Sequence, residues 1–252
     1  IFLTPDIICE LAVKTAGVLL QGSENLKICD PACGAGTFLL SASQHFGSSN
    51  EYFGSDISER MSLLAKLNTG TDDSLKIEAI DSLSPQYLDS YKNYFDLIIT
   101  NPPFGSNVFK EDNRTFNRLF ETTKSQKLPT ELCFIERCLE LLSDGGLLSI
   151  VVQKGVFTNV SNLFSDARNE FSKNGKVIGI YDLPSETFYS TGTQSNTVLA
   201  FVKKNTGTTE NKIKVWRRRI GSIGIDSTGR ISKENDAEEF CKILANNNFN
   251  LN

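Results

Sequence analysis

The feature that most constrains the fold is an apolar run that stops abruptly at two adjacent prolines. Residues 96–105 read Asp-Leu-Ile-Ile-Thr-Asn-Pro-Pro-Phe-Gly. The consecutive apolar residues 97–99 predict a β-strand covered on both faces, as in a parallel sheet. Because proline has no N–H donor, the strand must end before Pro102. A strand that needs cover on both faces favours a parallel sheet between two layers of helices.

Strands and helices alternate along most of the chain. Short apolar strands are predicted at residues 26–30, 51–56, 74–80, 94–100, 147–152, 176–181 and 197–202. Apolar residues at helical spacing predict helices at 5–19, 37–45, 58–67, 130–142 and 162–171, the first capped by Thr4. This order predicts one doubly wound α/β sheet, in which ligands bind at the carboxyl ends of the strands. Four polar residues occupy the ends of predicted strands and should share one cleft: Asp30, Asp56, Asp81 and Asn101.

A glycine-rich turn follows the first strand. Residues 30–36 read Asp-Pro-Ala-Cys-Gly-Ala-Gly and lead into a helix that starts at Thr37. Gly34 and Gly36 let the backbone approach a ligand, and the helix start supplies free N–H groups. No Lys-Ser or Lys-Thr pair follows, which disfavours a P-loop, and the third glycine of a dinucleotide fingerprint is missing. The pattern that remains is Asp-Pro-x-x-Gly-x-Gly.

Side chains at the strand ends can accept hydrogen bonds from a ligand. Asp56 lies at a distance after the glycine turn that suits contact with both hydroxyls of a ribose. Asp81 can accept from the amino group of an adenine. Asn101 and the Pro102 carbonyl can accept from an exocyclic amine, beside the flat face of Phe104. Aspartate is also common at exposed strand ends and turns, so a structural role is the alternative for both aspartates.

Composition argues against several other functions. Of the 252 residues, 39% are hydrophobic and 22% charged, without a membrane-spanning run or a signal-peptide pattern, so a cytoplasmic protein is expected. Six cysteines form no C-x-x-C pair and His45 is the single histidine, which argues against a metal site and a Ser-His-Asp hydrolase. The net charge of −4 argues against a stand-alone nucleic-acid binder, so local basic patches must carry any such contact.

Two motifs carry a family resemblance. Residues 101–104 (Asn-Pro-Pro-Phe) and the turn at 30–36 resemble motifs of the N6-adenine DNA methyltransferases in the gamma arrangement, and the order of elements is similar to that of the methylation subunit of Type I restriction-modification systems. The resemblance implies the Rossmann-like fold of class I S-adenosylmethionine-dependent methyltransferases, with a seven-stranded mixed sheet, helices on both faces and a last strand that is antiparallel. The Phe-x-Thr-Pro start of that family, here residues 2–5, closes over the methionine end of the cofactor.

The resemblance also assigns site residues by position. The catalytic residues are Asn101, Pro102, Pro103 and Phe104. The residues expected to bind S-adenosylmethionine are Thr4, Asp30, Pro31, Ala32, Gly34, Gly36, Thr37, Phe38, Asp56, Ile57, Asp81, Ser82, Leu83 and Asn101. No metal is expected.

The implied reaction is transfer of a methyl group from S-adenosylmethionine to the N6 amine of an adenine flipped out of DNA. The implied partners are DNA, a specificity subunit or a recognition domain, and a restriction subunit. Two alternatives stay open. Relatives with Asn-Pro-Pro-Tyr methylate RNA bases or protein glutamine, and a degenerate chain could bind the cofactor as a scaffold without catalysis.

The catalytic domain is expected at residues 1–204, followed by a C-terminal extension at 205–252 that could begin a linker to a recognition region. The first residue, Ile1, is also consistent with a piece of a longer chain. Residues 213–219 (Ile-Lys-Val-Trp-Arg-Arg-Arg) predict either one more strand with a basic patch or a solvated edge. Residues 105–128 mix aromatic and basic side chains, which suits a nucleic-acid contact or a short helix over the core.

Overall fold

The computed structural model describes residues 4–70, 74–112, 118–191, 196–206, 215–226 and 230–245. Its strands are β1 (Lys27–Asp30), β2 (Glu51–Asp56), β3 (Leu75–Ala79), β4 (Phe95–Thr100), β5 (Asn107–Phe109), β6 (Lys127–Pro129), β7 (Leu142–Gln153), β8 (Gly175–Asp182), β9 (Thr197–Lys204) and β10 (Trp216–Arg219). Its helices are α1 (Asp6–Leu19), α2 (Thr37–Phe46), α3 (Glu59–Thr69), α4 (Pro85–Tyr91), α5 (Arg118–Thr122), α6 (Thr130–Leu141), α7 (Gly155–Thr158), α8 (Asn162–Asn174) and α9 (Asp236–Ala245). Short 3-10 helices run at Lys110–Asp112 and Ser185–Thr191.

One large mixed sheet organises these elements. Its strand order is β10-β8-β9-β7-β4-β1-β2-β3, and β5 pairs with β6 in a separate two-stranded ribbon. β9 runs antiparallel to β7 and β8, and the other neighbouring strands of the sheet are parallel. The carboxyl ends of the parallel strands and the start of β9 therefore lie along the same end of the sheet. We call this end, where the parallel strands finish, the edge that carries the strand-end residues. The prediction of a doubly wound α/β sheet with an antiparallel seventh strand is confirmed.

The sheet has eight strands, where the family resemblance implied seven. The additional strand is β10, which pairs with β8 from Trp216 opposite Gly179 to Arg219 opposite Asp182. A Cβ atom on Gly179 would lie 2.0 Å from the Trp216 indole, so only glycine admits this packing. Three consecutive arginines show no alternation of apolar and polar residues, so the sequence pattern alone did not decide between a strand and a solvated edge.

Apolar side chains of β4 are buried on both faces of the sheet. Leu97 and Ile99 pack in the layer that contains α1, α2 and α9, and Ile98 packs in the layer that contains α4, α6 and α8. The three side chains are at most 1% exposed. This burial confirms the prediction that residues 97–99 form a strand covered on both faces, and it fixes the position of the residues that follow it.

Two elements after residue 204 pack on the same sheet. β10 is an outermost strand of the sheet, next to β8. α9 packs against α1, which places Ala237, Cys241 and Leu244 in the core at no more than 2% exposure. The division of the chain at residue 204 stays a prediction. Several residues that the sequence singled out lie outside the described ranges: Phe2, Leu3, Arg114, Phe116, Ile213 and 246–248.

The largest difference between a predicted and an observed strand boundary is at the start of β7. β7 begins at Leu142, directly after α6, rather than at residue 147, and Leu142 pairs with Phe95 ahead of a bulge.

The six cysteines are all buried and free. Across the described ranges, no helix is long and apolar enough to cross a membrane, and no cluster of three metal-ligating side chains occurs.

Candidate active site

The sheet brings the polar strand-end residues to one edge. β1 lies between β2 and β4, so Asp30 at the end of β1 is flanked by Asp56 at the end of β2 and by Asn101 directly after β4. Asp81 follows β3, which is the outer neighbour of β2. These side chains therefore share the edge at which ligands bind in open α/β sheets. Their individual roles stay predictions.

Asp56 holds the glycine-rich turn in place. Its Oδ2 accepts a hydrogen bond from the Gly34 N–H at 3.0 Å, and its Oδ1 accepts from the Ser58 N–H at 2.9 Å. A carboxylate oxygen has two lone-pair sites, so each oxygen keeps the capacity to accept from a ligand hydroxyl. The structural and the ligand-binding interpretations of Asp56 are therefore compatible.

The two glycines of the turn have different surroundings. Both have positive φ, 52° for Gly34 and 81° for Gly36. A Cβ atom on Gly36 would lie 3.1 Å from the Ala65 Cβ of α3, so Gly36 allows close packing of the helices. A Cβ on Gly34 would find no atom nearer than the Met61 Cε at 4.0 Å. The space beside Gly34 is therefore open to a ligand.

Asp30 is a buried acid at the centre of this edge. It is 1% exposed, and its Oδ1 accepts from the Ala32 N–H at 3.1 Å. Burial raises the pKa of Asp30 to about 7, against the opposing effect of the Ala32 hydrogen bond. The carboxyl group is therefore shared between its neutral and charged forms near neutral pH.

Besides Asp30, four of the expected cofactor-binding residues have buried side chains. The Ser82 hydroxyl donates to the Pro31 carbonyl and ties the turn after β3 to the turn after β1. Phe38 and Leu83, each 3% exposed, pack in the two cores. The Asp81 Oδ1 accepts from the Leu83 N–H at 3.1 Å, which closes that turn. Pro31, Phe38, Ser82 and Leu83 can therefore face a ligand mainly through their backbone.

Three other residues that are expected to bind the cofactor are at least partly exposed to solvent. Ile57, directly after Asp56, is 63% exposed, so a large apolar side chain stands unpacked beside the carboxylate. Ala32 is half-buried in the turn, and Thr37 faces a groove of about 470 Å³ between α1 and α2.

Asn101 has one end of its amide held and the other end unpaired. Its Nδ2 donates to the Thr4 Oγ1 at 2.9 Å. Its Oδ1 is buried and has no hydrogen-bond partner within the described part of the chain. Thr4 was predicted to cap α1, and that prediction is wrong: Pro5 occupies the cap position and no side chain caps the helix. The Thr4 hydroxyl instead orients the Asn101 amide.

The residues after Asn101 form a short apolar wall. Pro102 is buried, Pro103 is exposed and Phe104 is half-buried. The Phe104 ring meets Phe188 edge to face, with centroids 5.9 Å apart and an angle of 77°. Phe188, 1% exposed in the 3-10 helix after β8, was missed in the sequence. Its position after a parallel strand is the signal that would have pointed to it.

Two curated relatives cover much of the chain. The Type II methyltransferase M.VspI of Vibrio sp. (strain 343) is 31% identical over 166 residues, which cover 64% of this chain and 38% of that protein. The Type I restriction enzyme EcoEI methylase subunit of Escherichia coli is 26% identical over 224 residues, which cover 80% of this chain and 42% of that subunit. The chain thus spans less than half the length of these relatives.

A solved structure shares the fold. The type I restriction-modification system methyltransferase subunit from Streptococcus thermophilus aligns with a TM-score of 0.78 at 19% identity, covering 98% of this chain and 53% of that chain. The sequence matches the N-6 DNA Methylase family over residues 1–250. The resemblance carried by residues 30–36 and 101–104 is therefore confirmed, and the chain belongs to the N-6 DNA Methylase family.

Proposed function

We propose that this chain transfers a methyl group from S-adenosylmethionine to the N6 amine of an adenine flipped out of DNA, as the methylation component of a restriction-modification system. One observation carries the proposal: the Asn101 Oδ1 after β4 is buried without a hydrogen-bond partner in the described ranges, while its Nδ2 donates to Thr4. Leaving a buried acceptor unsatisfied costs about 1–3 kcal/mol. A substrate amine would remove that cost by donating to it.

The residues around the glycine turn fit the cofactor. Asp56 keeps acceptor capacity for two ribose hydroxyls, Ile57 offers an exposed apolar face to a planar ring, and the open space at Gly34 admits a ligand close to the backbone. When bound, S-adenosylmethionine supplies an electrophilic methyl group on a sulfonium. The remaining residues that we assign to its binding are Thr4, Asp30, Pro31, Ala32, Gly36, Thr37, Phe38, Asp81, Ser82 and Leu83.

Asn101 and Pro102 act on the target amine. The lone pair of an adenine amine is delocalised into the ring, which makes the nitrogen a poor nucleophile. When the Asn101 Oδ1 and the Pro102 carbonyl accept the two amine hydrogens, the lone pair is favoured on the nitrogen and directed to the methyl group. The hydrogen bond from Nδ2 to Thr4 determines which end of the Asn101 amide faces the amine.

Phe104 holds the extruded base. A target atom inside duplex DNA is inaccessible until the base leaves the stack. The edge-to-face contact with Phe188 fixes the plane of the half-buried Phe104 ring, and the ring offers a face on which a base can stack. Such stacking contributes about 1–3 kcal/mol per base. Pro103 restricts the backbone conformation directly before this ring.

We expect sequence recognition to come from partners. Relatives named as Type I methylase subunits support a place in an assembly with a specificity subunit, or a recognition domain, and a restriction subunit. The net charge of −4 supports weak DNA binding by the chain alone. We expect it to bind the cofactor, to bind DNA without sequence preference, and to work in the cytoplasm.

Incubation with methyl-labelled S-adenosylmethionine and DNA, RNA or protein in parallel tests the proposal. The expected product is N6-methyladenine in DNA, formed at low salt and high DNA concentration so that weak binding suffices. Label found only in RNA or in protein glutamine would contradict the assigned acceptor. Cofactor binding without transfer to any of the three would indicate a scaffold.

A further inference from the structure

Three cationic side chains lie together on the sheet edge that carries Asn101, beyond β7. Lys154, Arg217 and Arg219 line a polar cavity of about 500 Å³ together with Asp182. Arg217 and Arg219 are two residues apart on β10 and so point to the same face of the strand. We call Lys154, Arg217 and Arg219 the strand-end basic cluster.

The strand register places this cluster level with the catalytic motif. Arg219 lies opposite Asp182, Asp182 opposite Val198, and Val198 opposite Val152. Thr100 lies opposite Ile150, two residues before Val152, so the level of Arg219 corresponds to the position just after Asn101. Four strand spacings of about 4.8 Å separate β4 from β10, which is about 19 Å along the edge.

The cluster has cationic capacity beyond its internal ion pairs. Arg217 donates through Nε and Nη2 to the two Asp182 oxygens at 2.5 and 2.8 Å, and the Lys154 Nζ lies 3.1 Å from the Asp182 Oδ1. First Arg217 and then Lys154 hold the pKa of Asp182 below its usual value. Arg219 is exposed and has no partner among the described residues.

The charge balance at this site differs from that of the whole chain. The cavity contains the three cations of the cluster and two carboxylates, Asp182 and Glu186, and the second of these accepts a hydrogen bond from the Ser185 hydroxyl at 3.0 Å. The surroundings are therefore cationic by one charge, in a chain whose net charge is −4. Guanidinium groups bind phosphate oxygens with a matching geometry.

We propose that the strand-end basic cluster binds the phosphodiester backbone of the DNA whose adenine enters the active site, with Arg219 as the principal phosphate contact. This inference rests on the proposed function, because it takes DNA as the substrate. At about 3.4 Å per base pair, 19 Å corresponds to roughly five to six base pairs from the extruded base. The cluster thus positions the duplex within about half a helical turn of the target and reads no sequence.

The salt dependence of DNA binding tests this role. Anisotropy titrations against a random-sequence duplex between about 50 and 200 mM salt give the slope of log K against log salt. Arg219→Ala should reduce the magnitude of that slope by about 0.9, the value for one neutralised phosphate. Arg219→Lys keeps the charge and should keep the slope.

Lys203→Ala is the matched control, because Lys203 is exposed and lies toward the end of the sheet at which the parallel strands begin. It is paired there with Leu147. This variant should leave the slope unchanged. Lys154→Ala, outside the strands, gives a second measurement for which a similar reduction is expected. Calorimetry with S-adenosylmethionine checks that every variant still folds.

Four results would overturn the proposal: an unchanged slope in folded Arg219→Ala and Lys154→Ala, an equal reduction in Lys203→Ala, no DNA binding by the unmodified chain at the lowest salt, or an Arg219-dependent slope with RNA but not with DNA. Failure of the proposed function is distinguishable. In that case DNA would receive no methyl group, although its binding would keep the Arg219-dependent slope.

Discussion

The two sides of the catalytic edge differ in how their polar groups are satisfied. On the side of β1 and β2, the carboxylates already accept hydrogen bonds from the backbone: Asp56 from Gly34 and Ser58, and Asp30 from Ala32. On the side of β4, the buried Oδ1 of Asn101 has no hydrogen-bond partner among the residues that the structure describes. Backbone donors of the protein organise the first side, and we propose that a donor from the substrate completes the second. Substitutions on the two sides should therefore have different consequences.

The largest effect is expected for Asn101→Ala. Losing one preorganised hydrogen-bonding group lowers kcat by about 10²–10³-fold, and we propose that this acceptor contacts the amine directly. Single-turnover transfer of a labelled methyl group to DNA measures the loss. Asn174→Ala, at the end of α8, is the control and should keep full transfer. Substantial N6-methyladenine formation by folded Asn101→Ala would show that the amine is held elsewhere.

Asp56→Ala should affect the other side. Each charge-assisted ribose hydrogen bond is worth about 1.5–3 kcal/mol, or about 10- to 150-fold in affinity for S-adenosylmethionine. The melting temperature should also fall, because the N–H groups of Gly34 and Ser58 lose their acceptor. Calorimetry and thermal unfolding measure the two effects. Asp89→Ala, on the exposed side of α4, should change neither, and unaltered cofactor affinity in Asp56→Ala would remove this residue from the site.

Thr4→Val tests how the amide of Asn101 is oriented. The variant removes the acceptor of the Nδ2 and keeps the side-chain shape, so turnover should fall by about two- to tenfold, as expected for a hydrogen bond worth about 0.5–1.5 kcal/mol. Thr4→Ser keeps the hydroxyl and should keep the turnover of the unmodified protein. Full turnover in the valine variant together with a loss in the serine variant would mean that the methyl group of Thr4 matters and its hydrogen bond does not.

A separate effect, on stability rather than on methyl transfer, is expected for Asp30. Its pKa is about 7 in the folded protein, above the usual value of 3.8, so the folded state holds this proton more tightly than the unfolded state. The contribution of Asp30 to stability therefore falls as pH rises from about 4 to about 7 and is constant above that. In Asp30→Asn this fall should be absent. Chemical unfolding of both proteins across that range measures the difference, and parallel curves would contradict it.

The sequence predicted most of the sheet because its signals are local. Residues 97–99 are apolar in succession, and the prolines after them mark the end of the strand. The alternation of strands and helices then placed Asp30, Asp56 and Asn101 at one edge. Only the resemblance supplied the antiparallel direction of β9, since residue patterns do not encode strand direction.

The missing parts depend on contacts between distant residues. The Thr4 hydroxyl bonds to a side chain 97 positions away, so local spacing suggested a helix cap instead. β10 is a strand because Trp216 packs on Gly179. Its three consecutive arginines do not show the alternation of apolar and polar residues that marks a strand. Phe188 lies beside Phe104 because β8 ends nearby. No local pattern specifies such pairings.

A calorimetric titration of Asn101→Ala with S-adenosylmethionine, made on the sample whose methyl transfer has been measured, tests the central claim most directly. The claim is that the edge divides into a cofactor side and an amine side. It predicts a dissociation constant close to that of the unmodified protein, together with loss of transfer. A dissociation constant raised as much as that of Asp56→Ala would contradict the division, because Asn101 would then act mainly in holding the cofactor.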